Sequence, residues 1–176
     1  MGKLKGNLSA NWKKKPGFKR DSHELSGLGK GVIFCEKCGI VYYKKSWHHS
    51  LLNLKSIKEE APVKFVLCPA CQMIKNKQYE GRIVIKNVPE KSGVKLEELI
   101  NEFCRRAYDR DPMDRLIEIK KSHSTSSGQA VWEVTTTENQ LANKLAQKIK
   151  SSFSGVKTKT KFNKEPSDVV EVIADF

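Results

Sequence analysis

Two short cysteine motifs decide the fold of the first half of the chain: Cys35-Glu36-Lys37-Cys38-Gly39 and Cys68-Pro69-Ala70-Cys71. Two residues between the cysteines of a pair let both sulfurs lie about 2.3 Å from one Zn²⁺, and two such pairs complete a tetrahedron. Gly39 follows the second cysteine directly, at a tight turn where a positive φ angle is often required. The sequence therefore predicts one zinc site with Cys35, Cys38, Cys68 and Cys71 as its ligands.

This set of ligands indicates a structural site. Four thiolates leave no open coordination position, which a hydrolytic zinc site would need. Iron in a rubredoxin-type site uses the same ligands, but nothing else in the sequence indicates electron transfer, so zinc is the preferred metal.

The alternative to a metal site is that the four cysteines form two disulfides. The odd number of cysteines, five, and the absence of a secretion signal favour free thiols and a cytoplasmic location. His48 and His49 are less favoured alternative ligands, because four cysteines are already present.

The residues between the two motifs contain two strand-like segments, 40–43 and 63–67. Both are rich in β-branched and aromatic residues. We expect these segments to form a hairpin that carries the two cysteine turns. Residues 32–81 are therefore interpreted as a zinc ribbon.

Residues 82–176 alternate between strand-like and helix-like apolar periods. Strands are predicted over 81–88, 116–119 and 130–134, near 156–162 and over 169–174. Two apolar stripes with helical spacing separate them: Leu96, Leu99, Ile100, Phe103, Cys104 and Ala107, then Leu141, Ala142, Leu145, Ala146, Ile149 and Phe153. Thr137 and Gln140 are spaced as a capping box for the second helix. The order is β-α-β-β-α-β with an extra C-terminal strand, which predicts an α+β, ferredoxin-like domain.

Residues 1–31 lack apolar periodicity and are rich in Lys, Gly, Ser and Asn, so we expect a disordered basic arm. Lys13, Lys14 and Lys15 follow Trp12, an arrangement that suits phosphate contacts combined with stacking on bases. A tail that only increases solubility fits the same composition.

The positive charge lies mainly in the first half of the chain. The formal net charge is +13. Residues 1–81 hold 16 Lys/Arg against 6 Asp/Glu, whereas residues 82–176 hold 17 against 14. Such an asymmetry favours a polyanionic partner, most often nucleic acid. No apolar run approaches the roughly 20 residues of a membrane span, and no amphipathic basic helix indicates a membrane surface.

Specific RNA contacts can be proposed near the cysteines. The candidates for phosphate contacts outside the arm are Lys44, Lys45, Lys75, Lys77 and Arg82. Tyr43 and Trp47 are candidates for stacking on bases. The alternative for Trp47 is that it packs into the small core of the ribbon.

The stretch from Cys68 to Ile85, CPACQMIKNKQYEGRIVI, resembles a segment of the large-ribosomal-subunit export adaptors of archaea and eukaryotes (the nonsense-mediated-decay-three type). In that family a Cys-Pro-x-Cys turn, a basic stretch and a Tyr-Glu pair lead into the first strand of the next domain. The segments 135–137 and 141–145 are similar to a strand-to-helix junction of the same family. Small bacterial zinc-ribbon proteins look similar over the same region, residues 35–153. The resemblance implies association with the ribosome or ribosomal RNA. The export adaptors carry further cysteine pairs, so we expect a prokaryotic stand-alone module.

The sequence thus predicts a cytoplasmic, zinc-binding, non-enzymatic protein that associates with RNA, most specifically ribosomal RNA or the ribosome. No paired carboxylates, Ser-His-Asp set or phosphate loop indicates an enzyme. The second hypothesis is an adaptor whose ribbon binds a protein partner without direct RNA contact.

Overall fold

The computed structural model describes residues 31–50, 62–123, 130–163 and 169–176. Within these ranges the chain is mixed α+β, with two sheets and three helices. This class agrees with the prediction. The predicted basic arm, with Lys13, Lys14 and Lys15, lies outside the described residues except for Gly31. No helix among the described residues is long and apolar enough to cross a bilayer.

The first sheet has four short strands in the order β3-β2-β1-β4, and a short helix, α1, follows it. Strand β1 pairs antiparallel with β2 and parallel with β4, and β2 pairs antiparallel with β3. The elements are β1 (Val32–Cys35), β2 (Val41–Tyr43), β3 (Ser46–His48), β4 (Val63–Val66) and α1 (Pro69–Lys75).

The predicted hairpin between 40–43 and 63–67 is wrong. Strand β4 lies next to β1, not next to β2, and runs parallel to it, with Cys35 opposite Val66. Strand β2 is already paired with β1 on one side and β3 on the other, so β4 pairs with the remaining side of β1. The parallel register brings the C-terminal ends of β1 and β4 to the same edge of the sheet. Both cysteine motifs begin at that edge.

The second sheet has five strands in the order β6-β7-β5-β9-β8 and carries two helices. Its elements are β5 (Gly81–Val88), α2 (Glu90–Arg110), β6 (Leu116–His123), β7 (Ala130–Thr136), α3 (Asn139–Ser152), β8 (Lys157–Asn163) and β9 (Val169–Asp175). The order of strands and helices along the chain agrees with the prediction, including the extra C-terminal strand.

The position of this extra strand changes the sheet. Strand β9 lies between β5 and β8 and runs parallel to β5. Two strands, β5 and β9, therefore separate β7 from β8, which is one more than a split β-α-β unit has. The ferredoxin-like sheet order is not confirmed. The displaced strand β8 forms the edge of the sheet.

The core lies between one face of this sheet and the two helices. The buried residues of α2 are Leu96, Ile100, Cys104 and Ala107, and those of α3 are Leu141, Ala142, Leu145, Ala146 and Ile149. Leu99, Phe103 and Phe153 are partly buried beside them. The sheet contributes alternate residues such as Ile83, Ile85, Val134 and Val172. Each such aliphatic side chain contributes about 1.5–3 kcal/mol when fully buried, so both predicted stripes stabilise this unit.

The capping box predicted for α3 is not formed. The N-cap residue is Glu138, and no side chain caps the helix. Thr137 instead donates its hydroxyl to the Met113 carbonyl oxygen over 2.6 Å and accepts from the Arg115 backbone N–H over 2.8 Å. Thr137 therefore fixes the segment that enters β6.

At Gly81, the first residue of β5, the surrounding atoms leave no room for a side chain. A Cβ there would lie 2.5 Å from Ala142 Cβ and 2.9 Å from the Glu138 carbonyl oxygen, and closer still to Thr136 Oγ1. We predict that Gly81→Ala lowers the free energy of unfolding by about 2 kcal/mol or more, because the start of α3 must move away from β5. Chemical denaturation of the metal-loaded protein measures this.

Gly93 in α2 provides the matched control. A Cβ at Gly93 meets only the Trp132 ring, at 3.6 Å. Gly93→Ala should raise stability by up to about 1 kcal/mol, because alanine favours the helix interior. Equal destabilisation by both substitutions would contradict the close packing inferred at Gly81.

Candidate metal centre

The two cysteine motifs converge at one edge of the first sheet. Cys35 is the last residue of β1, and Cys38 lies in the turn that leads to β2. Cys68 is the N-cap of α1, and Cys71 lies in its first turn, with Pro69 as the first helical residue. The parallel register of β1 and β4 places these two turns side by side. The structure therefore brings all four predicted ligands together.

The four sulfur atoms form a compact group. All four Sγ atoms lie within 4.8 Å of one another, and those of Cys38 and Cys68 are 3.8 Å apart. In a tetrahedron with Zn–S bonds of about 2.3 Å, two sulfurs are about 3.8 Å apart. The group can therefore hold one tetrahedral metal ion with small adjustments. No residue of another type belongs to a candidate metal cluster among the described residues.

Backbone geometry fixes the first turn as predicted. Gly39 has a φ of +74°, which confirms the positive angle expected there. Its N–H donates to the Cys35 carbonyl oxygen over 2.9 Å, and the Cys35 N–H donates to the Ile40 carbonyl oxygen over 2.8 Å. These two bonds close the turn around the first pair of sulfurs.

Backbone N–H groups also point at the sulfurs. The Cys68 N–H donates to Cys35 Sγ and the Cys71 N–H donates to Cys68 Sγ, both over 3.3 Å. Cys35, Cys68 and Cys71 are buried, at 2% exposure or less, while Cys38 is partly exposed. N–H donors stabilise the thiolate form, which is the form that binds metal.

The thiols differ in their tendency to lose a proton. Burial raises the pKa of Cys35, but N–H donors from Cys68, Cys38 and Lys37 outweigh it and lower the pKa to about 6. Burial raises the pKa of Cys71 to about 11 and also raises the pKa of Cys68. In the absence of metal, Cys68 and Cys71 therefore hold their protons at neutral pH.

The four-stranded sheet with α1 is called the first unit, and the five-stranded sheet with α2 and α3 the second unit. One cation from the second unit reaches the sulfurs of the first. Arg115, which precedes β6, donates from Nη2 to Cys38 Sγ over 3.1 Å and from Nη1 to Cys71 Sγ over 3.6 Å. Burial lowers the pKa of Arg115, but its interactions with the neighbouring cysteines, with Cys38 first, raise it above its usual value. Sequence analysis missed Arg115. No spacing rule connects it to the cysteines, and only the folded chain brings it there.

The two neighbouring histidines are engaged elsewhere. His48 Nε2 donates to the Tyr43 carbonyl oxygen over 3.2 Å, and His49 Nε2 donates to the Tyr108 carbonyl oxygen over 2.6 Å. The His49 ring also meets the Tyr108 ring edge-on, with 4.7 Å between the centroids. His49 therefore connects the first unit to α2.

The predicted RNA contacts of the first unit surround a hairpin tip. Lys44 and Lys45 form the turn between β2 and β3, and both are exposed with positive φ angles. Lys44 Nζ lies 5.3 Å from the centre of the Tyr43 ring. The Trp47 ring packs against the Tyr42 ring and the cysteine core, with 5.3 Å between ring centroids. Trp47 therefore packs into the small core around the cysteines, which was the alternative to base stacking, and it is also partly exposed.

The remaining predicted contacts divide into two kinds. Lys75 and Lys77 are exposed at the end of α1. Arg82, by contrast, lies on the face of the second sheet opposite the helices. Its Nε and Nη2 donate to the Glu133 carboxylate, each over 3.0 Å, and its Nη1 donates to Glu171 over 2.6 Å. Two carboxylates therefore already balance the Arg82 charge.

A cleft of about 1060 Å³ lies between the hairpin tip and the two long helices. Lys45 and Trp47 line it from the hairpin side. Its charged lining consists of four cations and three carboxylates: Lys45, Arg110, Lys144 and Lys148, with Asp111, Asp114 and Glu138. The cleft is therefore nearly balanced in charge.

Comparisons with known proteins found no match to a protein-family model, to a curated protein or to a solved structure. The resemblance to the export adaptors stays a prediction.

Metal binding is testable with Co²⁺, whose visible absorption reports tetrahedral thiolate ligands. We predict one Co²⁺ per chain with four sulfur ligands, displaced by Zn²⁺. Cys71→Ser should remove the thiolate spectrum or weaken binding strongly, because serine does not replace a thiolate ligand. Cys104→Ala is the control, since Cys104 lies in the core between α2 and the sheet. An unchanged spectrum for Cys71→Ser would contradict the assignment.

Metal binding should also release protons. Because the pKa of Cys71 is raised to about 11 and that of Cys68 is also raised, both thiols must lose a proton when metal binds near neutral pH. We predict the release of at least two protons per Zn²⁺ at pH 7, so that affinity rises by at least roughly a hundredfold per pH unit. Calorimetric titrations in buffers of different ionisation enthalpy count these protons. Affinity independent of pH between 6 and 8 would contradict the prediction.

Proposed function

We propose that this chain is a cytoplasmic, non-enzymatic protein that holds one structural Zn²⁺ and binds RNA, ribosomal RNA above all, through exposed lysines around the metal centre. The observation that carries the RNA part is the group of four exposed lysines on the first unit: Lys44, Lys45, Lys75 and Lys77. None of them forms an ion pair with another described residue.

Zinc is supported by the chemistry of the donor set. Four thiolates in a tetrahedral arrangement suit Zn²⁺ or iron, and Zn²⁺ needs no redox partner. With all four sulfurs as ligands, no coordination position is left for water or substrate, which supports a structural and not a catalytic role. Free thiols in such a cluster also suit a reducing compartment such as the cytoplasm.

RNA is supported by the distribution of charge. The described part of the first unit, 31–50 and 62–80, holds six lysines and two glutamates. Lys44 Nζ lies 5.3 Å from the centre of the Tyr43 ring, and Lys45 lines the same cleft as Trp47, so phosphate contacts and stacking are both available at the hairpin tip. The cleft, which is nearly balanced in charge, is a weaker candidate for phosphate contacts, and Arg82 is left out because its charge is already balanced. The resemblance to the export adaptors supports a ribosomal partner.

Substitution of the hairpin tip tests the RNA part. We predict that Lys44→Gln with Lys45→Gln weakens binding to a labelled single-stranded RNA. The slope of log K against log salt should become shallower by about 1.4, because each lost phosphate contact contributes about 0.7 for a single strand. Fluorescence anisotropy over a range of salt concentrations measures both quantities.

Lys91→Gln with Lys95→Gln is the matched control, since both residues are exposed on α2, outside the metal-bearing unit. This variant should retain the affinity and salt slope of the unchanged protein. Absence of RNA binding by the unchanged protein, or binding that does not depend on salt, would contradict the proposal.

One observation favours the adaptor as a second candidate. Among the described residues, strand β4 lies at the edge of the first sheet, and its Phe65 and Val63 are 68% and 53% exposed. Exposed apolar edge strands are sites where another chain can add a strand. Phe65→Ser should leave RNA affinity unchanged under the RNA proposal and abolish partner binding under the adaptor hypothesis.

A further inference from the structure

We propose that Arg115 is an outer partner of the metal centre, which balances its charge and couples metal retention to the docking of the second unit onto the first. The inference rests on the metal-binding part of the proposed function and does not depend on RNA binding.

The contacts of the guanidinium bridge both cysteine motifs. Arg115 Nη2 lies 3.1 Å from Cys38 Sγ, which belongs to the first motif. Its Nη1 lies 3.6 Å from Cys71 Sγ, which belongs to the second. One side chain of the second unit therefore contacts both halves of the ligand set.

The second unit holds this side chain in place. Arg115 Nε donates to the Pro112 carbonyl oxygen over 2.9 Å, and the guanidinium lies 4.9 Å from the centre of the Tyr108 ring. The backbone N–H of Arg115 donates to Thr137 Oγ1 over 2.8 Å. Because these contacts orient the guanidinium before it meets the sulfurs, little conformational entropy is lost on docking.

The negative charge of a metal-bound cluster provides the driving force for its contact with Arg115. One Zn²⁺ with four thiolates carries a net charge of −2, and three of the four cysteines are buried. A buried charge is costly unless it is paired and hydrogen-bonded. Arginine keeps its positive charge at all relevant pH values and offers a fork of N–H donors, so it balances half of this charge.

Other contacts make docking and metal binding parts of one event. The His49 side chain hydrogen-bonds the Tyr108 carbonyl oxygen over 2.6 Å, and Met113 packs against the cysteine core. If the docked arrangement favours the metal-bound cluster, then by linkage the metal must favour docking to the same extent.

Zinc release measures the first part of the proposal. We expect Arg115→Gln to release Zn²⁺ to a chromophoric chelator about 10–100 times faster than the unchanged chain, the range typical for lost outer partners of metal ligands. Arg115→Lys keeps the charge but loses the fork, so its rate should lie between the two. Arg106→Gln is the control, because Arg106 is exposed on α2 and forms an ion pair with Glu102 at 3.6 Å.

Amide hydrogen exchange measures the coupling. In the unchanged full chain, removal of metal should lower the protection of amides in β6 and β7, and in Arg115→Gln this difference should shrink. His49→Ala weakens docking without contact to the sulfurs, so it should lower protection but change zinc release by less than Arg115→Gln does.

Three outcomes overturn the inference. Release from Arg115→Gln at the rate of Arg106→Gln would show that the arginine does not retain the metal. Equal acceleration in Arg115→Gln, Arg115→Lys and His49→Ala would show that only packing matters. Failure of the unchanged chain to bind Zn²⁺ would overturn the proposed metal site itself, which distinguishes that failure from the other two.

Discussion

Four cysteine sulfurs that converge on one buried point are the constraint on which the rest of the structure depends. Thiolates repel one another, so they stay together only if a cation and N–H donors surround them. The N–H groups of Cys68 and Cys71 supply part of this environment, each over 3.3 Å to a sulfur. The parallel pairing of β1 with β4 meets the same requirement, since it brings both cysteine turns to one edge of the sheet.

The connection between the two units is short and extends this constraint into the second sheet. The chain leaves α1 at Asn76 and enters β5 at Gly81. The Gln78 N–H donates back to the Met73 carbonyl oxygen over 2.8 Å, and the Val170 N–H donates to the Glu80 carbonyl oxygen over 2.9 Å. The linker is therefore hydrogen-bonded to both units. Together with Arg115 it gives the cysteine cluster a covalent and a non-covalent attachment to the second unit.

Local patterns predicted the elements well. The helical spacing of residues such as Leu96 and Ile100 identified α2 and its buried face, and the cysteine spacing identified the four clustered residues. Burial and metal geometry act over a few residues, so they leave a periodic signal in the sequence. The positive φ of Gly39 could be predicted because it also depends on a constraint that acts over a few neighbouring residues.

The pairing of strands and the contacts between the two units could not be predicted from the sequence. The choice of β1 over β2 as the neighbour of β4, and the insertion of β9 beside β5, depend on which distant segments meet. The hydroxyl of Thr137 has a helix-cap spacing in sequence, but in the fold it binds the backbone of the β6 entry. Arg115 carries no local signal of a metal centre because its partners lie 44 and 77 residues away.

X-ray absorption at the zinc edge of the purified, zinc-loaded chain tests the central claim most directly. The account predicts four sulfur neighbours at about 2.3 Å and no nitrogen or oxygen ligand. A first shell that contains nitrogen or oxygen, or a chain that retains no stoichiometric metal, would contradict it.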